Sequence, residues 1–161
     1  MERRIAPPGA SELVDLMEKL TQALPGSGRV EGIFKSKQKL LMFAAALGLK
    51  SGERRPMEKR GEPIRYSIFQ GALDDTFVSA LAIADTGDLK VLSAERLDER
   101  IGIFEEYAHA GLVELHTMLS KPGDNLEYLL QIVIDSRAAS DPPAGVIPDL
   151  ASLLNFGLQR S

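Results

Sequence analysis

The chain has 161 residues, 44% of them hydrophobic and 26% charged, which is the size of one domain with a core of its own and excludes a disordered or a fibrous chain. It has no cysteine, so disulfides, thiolate metal sites and cysteine nucleophiles are excluded together. The net charge of −4 hides an asymmetry: residues 1–70 carry 13 Lys and Arg against 8 Asp and Glu, and residues 71–161 carry 6 against 15.

No apolar run reaches the roughly 18 residues that a membrane span needs, and residues 1–8 lack the apolar core of a secretory signal, so the expected compartment is the cytoplasm. In chain order, a helix opens behind Ser11 as its cap, carries Leu13, Leu16, Met17, Leu20 and Leu24 on one face, and stops at Pro25 and Gly26. A glycine-rich connector, 26–32, leads past Ser36 to a stretch apolar on every face, 40–47, which belongs in the middle of a core and is closed by Gly48. Residues 51–61, with Pro56 and several charges, read as an exposed loop. A short ordered piece follows from Glu62 and Pro63 to Phe69, pinned by Ile64, Ile68 and Phe69.

Leu73, Phe77, Ala80, Leu81 and Ala84 form the next helical stripe, with Asp74 and Asp75 at its positive end, and residues 85–88 turn the chain. The longest pattern runs from Ser93 to about Ser120 with Leu97, Ile101, Phe104, Ala108, Leu112, Leu115 and Leu119, a helix of roughly 40 Å that serves as the spine of the domain. Lys121, Pro122 and Gly123 break it. Asp124 caps a helix with the stripe Leu126, Leu129, Leu130 and Val133. Period is lost over 136–148, which reads as a flexible linker, and Leu150, Leu153, Leu154 and Leu158 place an apolar stripe on a short terminal helix that must dock on something. No stretch shows the alternation of a strand. The expectation is an all-α fold: a single compact helical domain over 1–135 with five to seven helices and a long central one, a linker over 136–148, and a docking helix over 149–161.

The glycine-rich stretch 25–32 lacks the Gly-Lys-Ser/Thr and the preceding strand of a phosphate loop, and reads as a connector. Glu106 and His109 stand at i and i+3, the spacing of carboxylate-bridged di-metal bundles, but Val113 occupies the matching position before His116, so half of the ligand set is missing. The two histidines read as boundary residues, and Glu105, Glu106 and Glu114 as solvated helix surface. No serine lies beside either histidine. The expectation is a protein that is not an enzyme, with no metal and no cofactor. Between 35 and 65, nine Lys and Arg face three Glu. Lys50, Arg54, Arg55, Lys59, Arg60 and Arg65 are the candidate phosphate contacts there, with Tyr66 and Phe69 as stacking groups for a sequence-independent nucleic-acid interface. Such a basic surface can equally meet an acidic patch on another subunit or the protein's own acidic half, and the three alternatives stay open.

Four stretches in order, LLMFAAALG at 40–48, Glu62-Pro63-Ile64, ALAIADTGD at 80–88 and IFEEYAHAGL at 103–112, resemble the small family of DNA phosphorothioation-associated protein 4, also called Dnd system-associated protein 4. The resemblance covers about residues 30–135, leaving out the N-terminal helix and everything after Ser136. It implies a place in bacterial anti-phage defence systems that replace a non-bridging phosphate oxygen of DNA with sulfur or restrict DNA lacking that mark, and it brings no catalytic residues. The expected role is a non-catalytic adaptor for larger ATPase or nuclease components, with Leu150, Leu153, Leu154 and Leu158 as the partner-docking stripe. The alternative is a DNA-binding accessory protein using the basic 35–65 segment. A homo-oligomer is compatible with either.

Overall fold

A computed structural model describes residues 2–22, 33–71 and 73–120, and all but the last three of these belong to one compact unit, Met1–Thr117. The expected helices 124–135 and 149–161, the linker 136–148, the connector 26–32 and Leu24 lie outside the described residues. The described chain is helical, as expected. A two-residue strand β1 (Arg4–Ile5) precedes α1 (Ser11–Thr21) and α2 (Lys37–Ser51). Strand β2 (Ile64–Arg65) leads directly into α3 (Tyr66–Gly71) and then α4 (Asp75–Thr86). Two 3-10 turns, Leu89–Leu92 and Ala94–Arg96, run into the long α5 (Leu97–Leu119).

The apolar stripes become the core. Leu13, Leu16, Met17 and Leu20 of α1, Phe77 and Leu81 of α4, and Ile101, Phe104, Ala108, Leu112 and Leu115 of α5 are all buried. Phe104 is the hub, with Phe69 edge-on at 5.7 Å and Phe77 edge-on at 6.3 Å, a geometry that sets the positive ring edge on the negative face. No residue of 40–48 is exposed, as an all-round apolar helix requires.

Gly48 departs from expectation. The helix runs on to Ser51 and is capped by Gly52 in the left-handed conformation, φ 76°. Gly48 is instead buried where α2 crosses α5: a Cβ there would stand 2.2 Å from the Tyr107 carbonyl oxygen, and one on Gly111 would stand 1.7 Å from that of Ala44. Ala44, Ala45, Gly48, Ala108 and Gly111 thus let two backbones touch, and this contact needs residues of small size as well as hydrophobic ones.

Three further local expectations are corrected. Ser11 is the first helical residue and not a side-chain cap, since Ala10 holds the cap position without a side-chain bond. Leu73 lies outside α4, 76% exposed at φ 60°, while Ile68 is also exposed. Asp74, by contrast, stands where expected, as the N-cap residue of α4, though its side chain does not bond to the helix end. Its buried carboxylate accepts from Gln38 Nε2 and from Lys39 Nζ (2.8 Å), which ties the start of α4 to the start of α2.

The strands are the feature with no sequence signal. Antiparallel β1 and β2 pair Arg4 with Arg65 and Ile5 with Ile64, and the ladder is prolonged by the Tyr66 amide on the Arg3 carbonyl (2.8 Å), the Gly61 amide on that of Pro7 (2.7 Å) and the Gly9 amide on that of Lys59 (2.8 Å). This ribbon zips residues 3–9 to residues 59–66 and turns Ile5 into the core. None of the described helices is long and apolar enough to cross a membrane.

Candidate functional site

The stretch 53–60 is exposed, as expected, apart from half-buried Met57, but it is fastened to α5 and α4 at Arg54, Arg55 and Arg60. Successive α5 residues project about 100° apart, so Glu105, Glu106 and Tyr107 reach three different neighbours from one turn. Glu106 and His109, one turn apart on the same side, face the loop: the Arg55 amide donates to the Glu106 carbonyl (3.2 Å), and His109 Nδ1 meets the Arg55 carbonyl oxygen at 3.0 Å.

Arg54 is the centre of this clasp. Its Nε donates to Glu106 Oε2 (2.8 Å) and its Nη1 to Asp85 Oδ2 (2.9 Å), while the other Asp85 oxygen accepts the Tyr107 hydroxyl at 2.6 Å. One planar guanidinium thereby bridges α4 and α5 through two carboxylates. Partial burial opposes the Arg54 charge, but the bond to Glu106 and the charges of Asp85 and Glu106 together raise its pKa. Burial, with the Asp85 hydrogen bond added, pushes the Tyr107 phenol up to about 12, so it stays a donor throughout the physiological range.

Glu105 is not solvated surface. It is 4% exposed, and its oxygens accept the Ala6 amide (2.7 Å) and Arg60 Nη1 (3.0 Å). Burial pushes its pKa upward against the opposing effects of the Ala6 amide and Arg60. One carboxylate thus fastens both sides of the ribbon, at Ala6 and at Arg60, to the middle of α5. The signal was present in the sequence, because Glu105 lies at i+4 from Ile101 and at i−3 from Ala108, inside the apolar stripe. Glu114 is likewise engaged, accepting the Ser51 hydroxyl.

Below the clasp, the chain from α4 to α5 is held by charge. The Asp88 carboxylate caps the Leu89–Leu92 turn through the Lys90 amide (2.9 Å) and binds Arg96 (2.9 Å), which also grips Glu99 (2.7 Å). The bond from Arg96 is the main reason that Asp88 and Glu99 both titrate below the usual carboxylate range. Buried Arg100 donates to the carbonyls of Val91 (2.6 Å) and Ser93 (2.7 Å).

Of the predicted phosphate contacts, Arg54 and Arg60 are therefore bound to the protein's own acidic half. Lys50 on α2, Arg55 and Lys59 in the loop and Arg65 on β2 are exposed. Tyr66 and Phe69 are buried and stack on each other at 6.3 Å, so neither offers a ring to a base. Glu106 and His109 face the loop, and no cluster of three or more His, Asp or Glu fit to hold a metal occurs among the described residues. The docking stripe Leu150, Leu153, Leu154 and Leu158 lies outside the described residues.

The groups that hold Arg54, Arg55 and Arg60 come from two of the stretches that carry the family resemblance, Asp85 from 80–88 and Glu105 to His109 from 103–112. A family model described as DNA sulphur modification system-associated protein 4 matches residues 14–149. The chain belongs to this family. The match to the sulphur modification system-associated family is wider than the resemblance read from the motifs: it takes in most of α1 and continues past Ser136, and it ends one residue before Leu150. No curated protein and no solved structure matches the chain.

Proposed function

We propose that this member of the sulphur modification system-associated family is a non-catalytic adaptor that joins larger ATPase or nuclease components in a DNA phosphorothioation-linked defence system. The observation that carries the reading is the use made of the charged residues in the two family stretches. Asp85, Glu105, Glu106 and Tyr107 hold a loop and two helices in one shape, and their carboxylates are occupied by Arg54, Arg60 and a backbone amide. A catalytic acid or base needs a free proton site at a reachable surface. These groups instead rigidify a surface, which is what a docking subunit needs. The expected docking element remains the stripe Leu150, Leu153, Leu154 and Leu158, whose apolar spacing suits a groove on a partner.

The test is an affinity pull-down of the tagged full-length chain from its native host, with and without nuclease treatment. Retention of an ATPase or nuclease of the modification system that survives nuclease treatment supports the adaptor, and removal of residues 146–161 should then abolish it while the thermal midpoint of the remainder holds. Loss of every such partner on nuclease treatment would overturn the reading.

A further inference from the structure

The register of the ribbon creates a like-charge pair. Ile5 and Ile64 face each other on the core side, so by the two-residue period of strands Arg4 and Arg65, also directly opposite, face away from it. Both are exposed, and neither pairs with a described carboxylate. Glu2 and Asp98 share a shallow depression with Arg3 and Arg4; Asp98 is paired with Arg3 (3.2 Å), and Glu2 accepts the neutral Ser67 hydroxyl (2.7 Å) and keeps its charge without forming an ion pair with Arg4.

Two cations directly opposite on a ladder destabilise the pair of strands that carries them. Residues opposite each other in an antiparallel pair have Cα atoms about 4.5–5.5 Å apart, so the two arginine side chains start from neighbouring points on one face, within reach of a common phosphoryl group. Each guanidinium fork presents parallel N–H donors matched to the oxygens of a phosphoryl group. Net charge is not the argument, because Glu2, Glu58 and Glu62 lie on the same two segments as Arg4, Lys59 and Arg65. The argument is local geometry. Arg54 and Arg60 have their carboxylates, and the opposed Arg4 and Arg65 have none.

We propose that Arg4 and Arg65 form a two-fork site for a phosphoryl group, carried by the backbone of a nucleic acid or by a free nucleotide. The site differs from the basic segment read from sequence, since Arg4 lies outside 35–65 and is brought to Arg65 by the fold alone. It does not depend on the adaptor reading, and the pull-down can fail while the site stands.

The test uses the full chain and fluorescence anisotropy with a labelled mixed-sequence duplex of about 20 base pairs, which offers more phosphates than one small domain can contact. The competitors are a nucleoside triphosphate, inorganic phosphate and polyglutamate. The double variant Arg4→Gln with Arg65→Gln is compared with a control of equal charge change, Lys19→Gln with Lys37→Gln. Loss of two phosphate contacts should flatten the slope of log affinity against log salt by about 1.8 and thereby weaken duplex binding by roughly 60-fold at about 0.1 M salt, with the control near wild type.

That result assigns a nucleic-acid backbone. Binding of the triphosphate that the same double variant abolishes, with the duplex held no better than inorganic phosphate, assigns a nucleotide. Equal loss in both double variants, no binding of duplex or nucleotide by the wild type, or displacement of the duplex by polyglutamate at matched charge would overturn the site. Relief of repulsion predicts that Arg65→Gln alone folds with an unchanged or higher thermal midpoint. A lower midpoint would make the pair structural and overturn the proposal independently.

Discussion

The α2–α5 crossing and the clasp around Arg54 lie on the same long helix and are built on opposite principles. At the crossing, Ala44, Gly48 and Gly111 bring two backbones together with no side chain between them, so the contact tolerates no added atom. At the clasp, Arg54, Asp85, Glu106 and Tyr107 span the gap with long polar side chains that can be trimmed one at a time. The dry contact fixes where the helices sit. The charged one fixes what covers them, and the difference predicts steeply unequal costs of mutation.

The largest effect belongs to Gly111→Ala. A methyl group 1.7 Å from a backbone oxygen cannot be absorbed by a rotamer change, so the helices must separate. The expected loss is at or beyond the upper end of the roughly 1–3 kcal/mol typical of overpacking, read as a lowered denaturant midpoint. Gly48→Ala should follow closely. The same substitution at Gly102 on α5, where an added Cβ meets nothing within 4 Å, should be neutral or stabilising through helix propensity. If all three variants behaved alike, the crossing would not be the tight contact described.

Glu105 comes next, because it is the one clasp carboxylate that is buried. Glu105→Ala removes the acceptor of the Ala6 amide and should cost about 1–3 kcal/mol, the penalty of a buried donor left without a partner. Glu105→Gln keeps that acceptor and removes only the charge. Because burial raises the folded-state pKa above the unfolded one, the contribution of Glu105 is greatest below the unfolded value and declines as pH rises through the folded value. The stability of Glu105→Gln relative to wild type should therefore be highest near pH 7 and shrink as pH falls toward about 4.3, the unperturbed carboxyl value. Chemical denaturation of both proteins across that range checks the sign, and the opposite trend would mean that the Arg60 pair outweighs burial.

Much of this was legible before the structure, and what escaped did so for physical reasons. Stripes such as Leu13, Leu16, Met17 and Leu20 repeat over enough turns to show their period, and the core took them as expected. Strands of two residues cannot show a period, so β1 and β2 were invisible, and with them the meeting of Arg4 and Arg65. Gly48 read as a helix end because glycine serves both as a terminator and as a contact point, and only the partner helix distinguishes the two uses. Tyr66 and Phe69 lay beside a basic run in sequence, but α3 turns both inward against Phe104 and each other. For Arg54 and Arg60 the structure takes one of the three alternatives left open, the protein's own acidic half, which the count of charges made visible without choosing it.

The smallest effect is the most informative about the clasp. Arg54→Ala leaves Asp85 and Glu106 facing a common gap without their cation, yet the guanidinium is more than a third exposed, so solvent screening keeps the global cost near 1 kcal/mol. The local consequence should be larger than the global one. Among the described residues, Arg54 is the side chain that joins the loop to α4 and α5 together, so amide exchange should quicken over 53–58 while the amides around Phe104 and Leu112 keep their protection. High salt should narrow the stability gap between wild type and Arg54→Ala, as expected for an exposed pair. By contrast, it should leave the loss in Gly111→Ala untouched, because no charge takes part in that contact. A salt-insensitive Arg54→Ala would mean that the guanidinium acts by packing its stem and not by bridging two carboxylates.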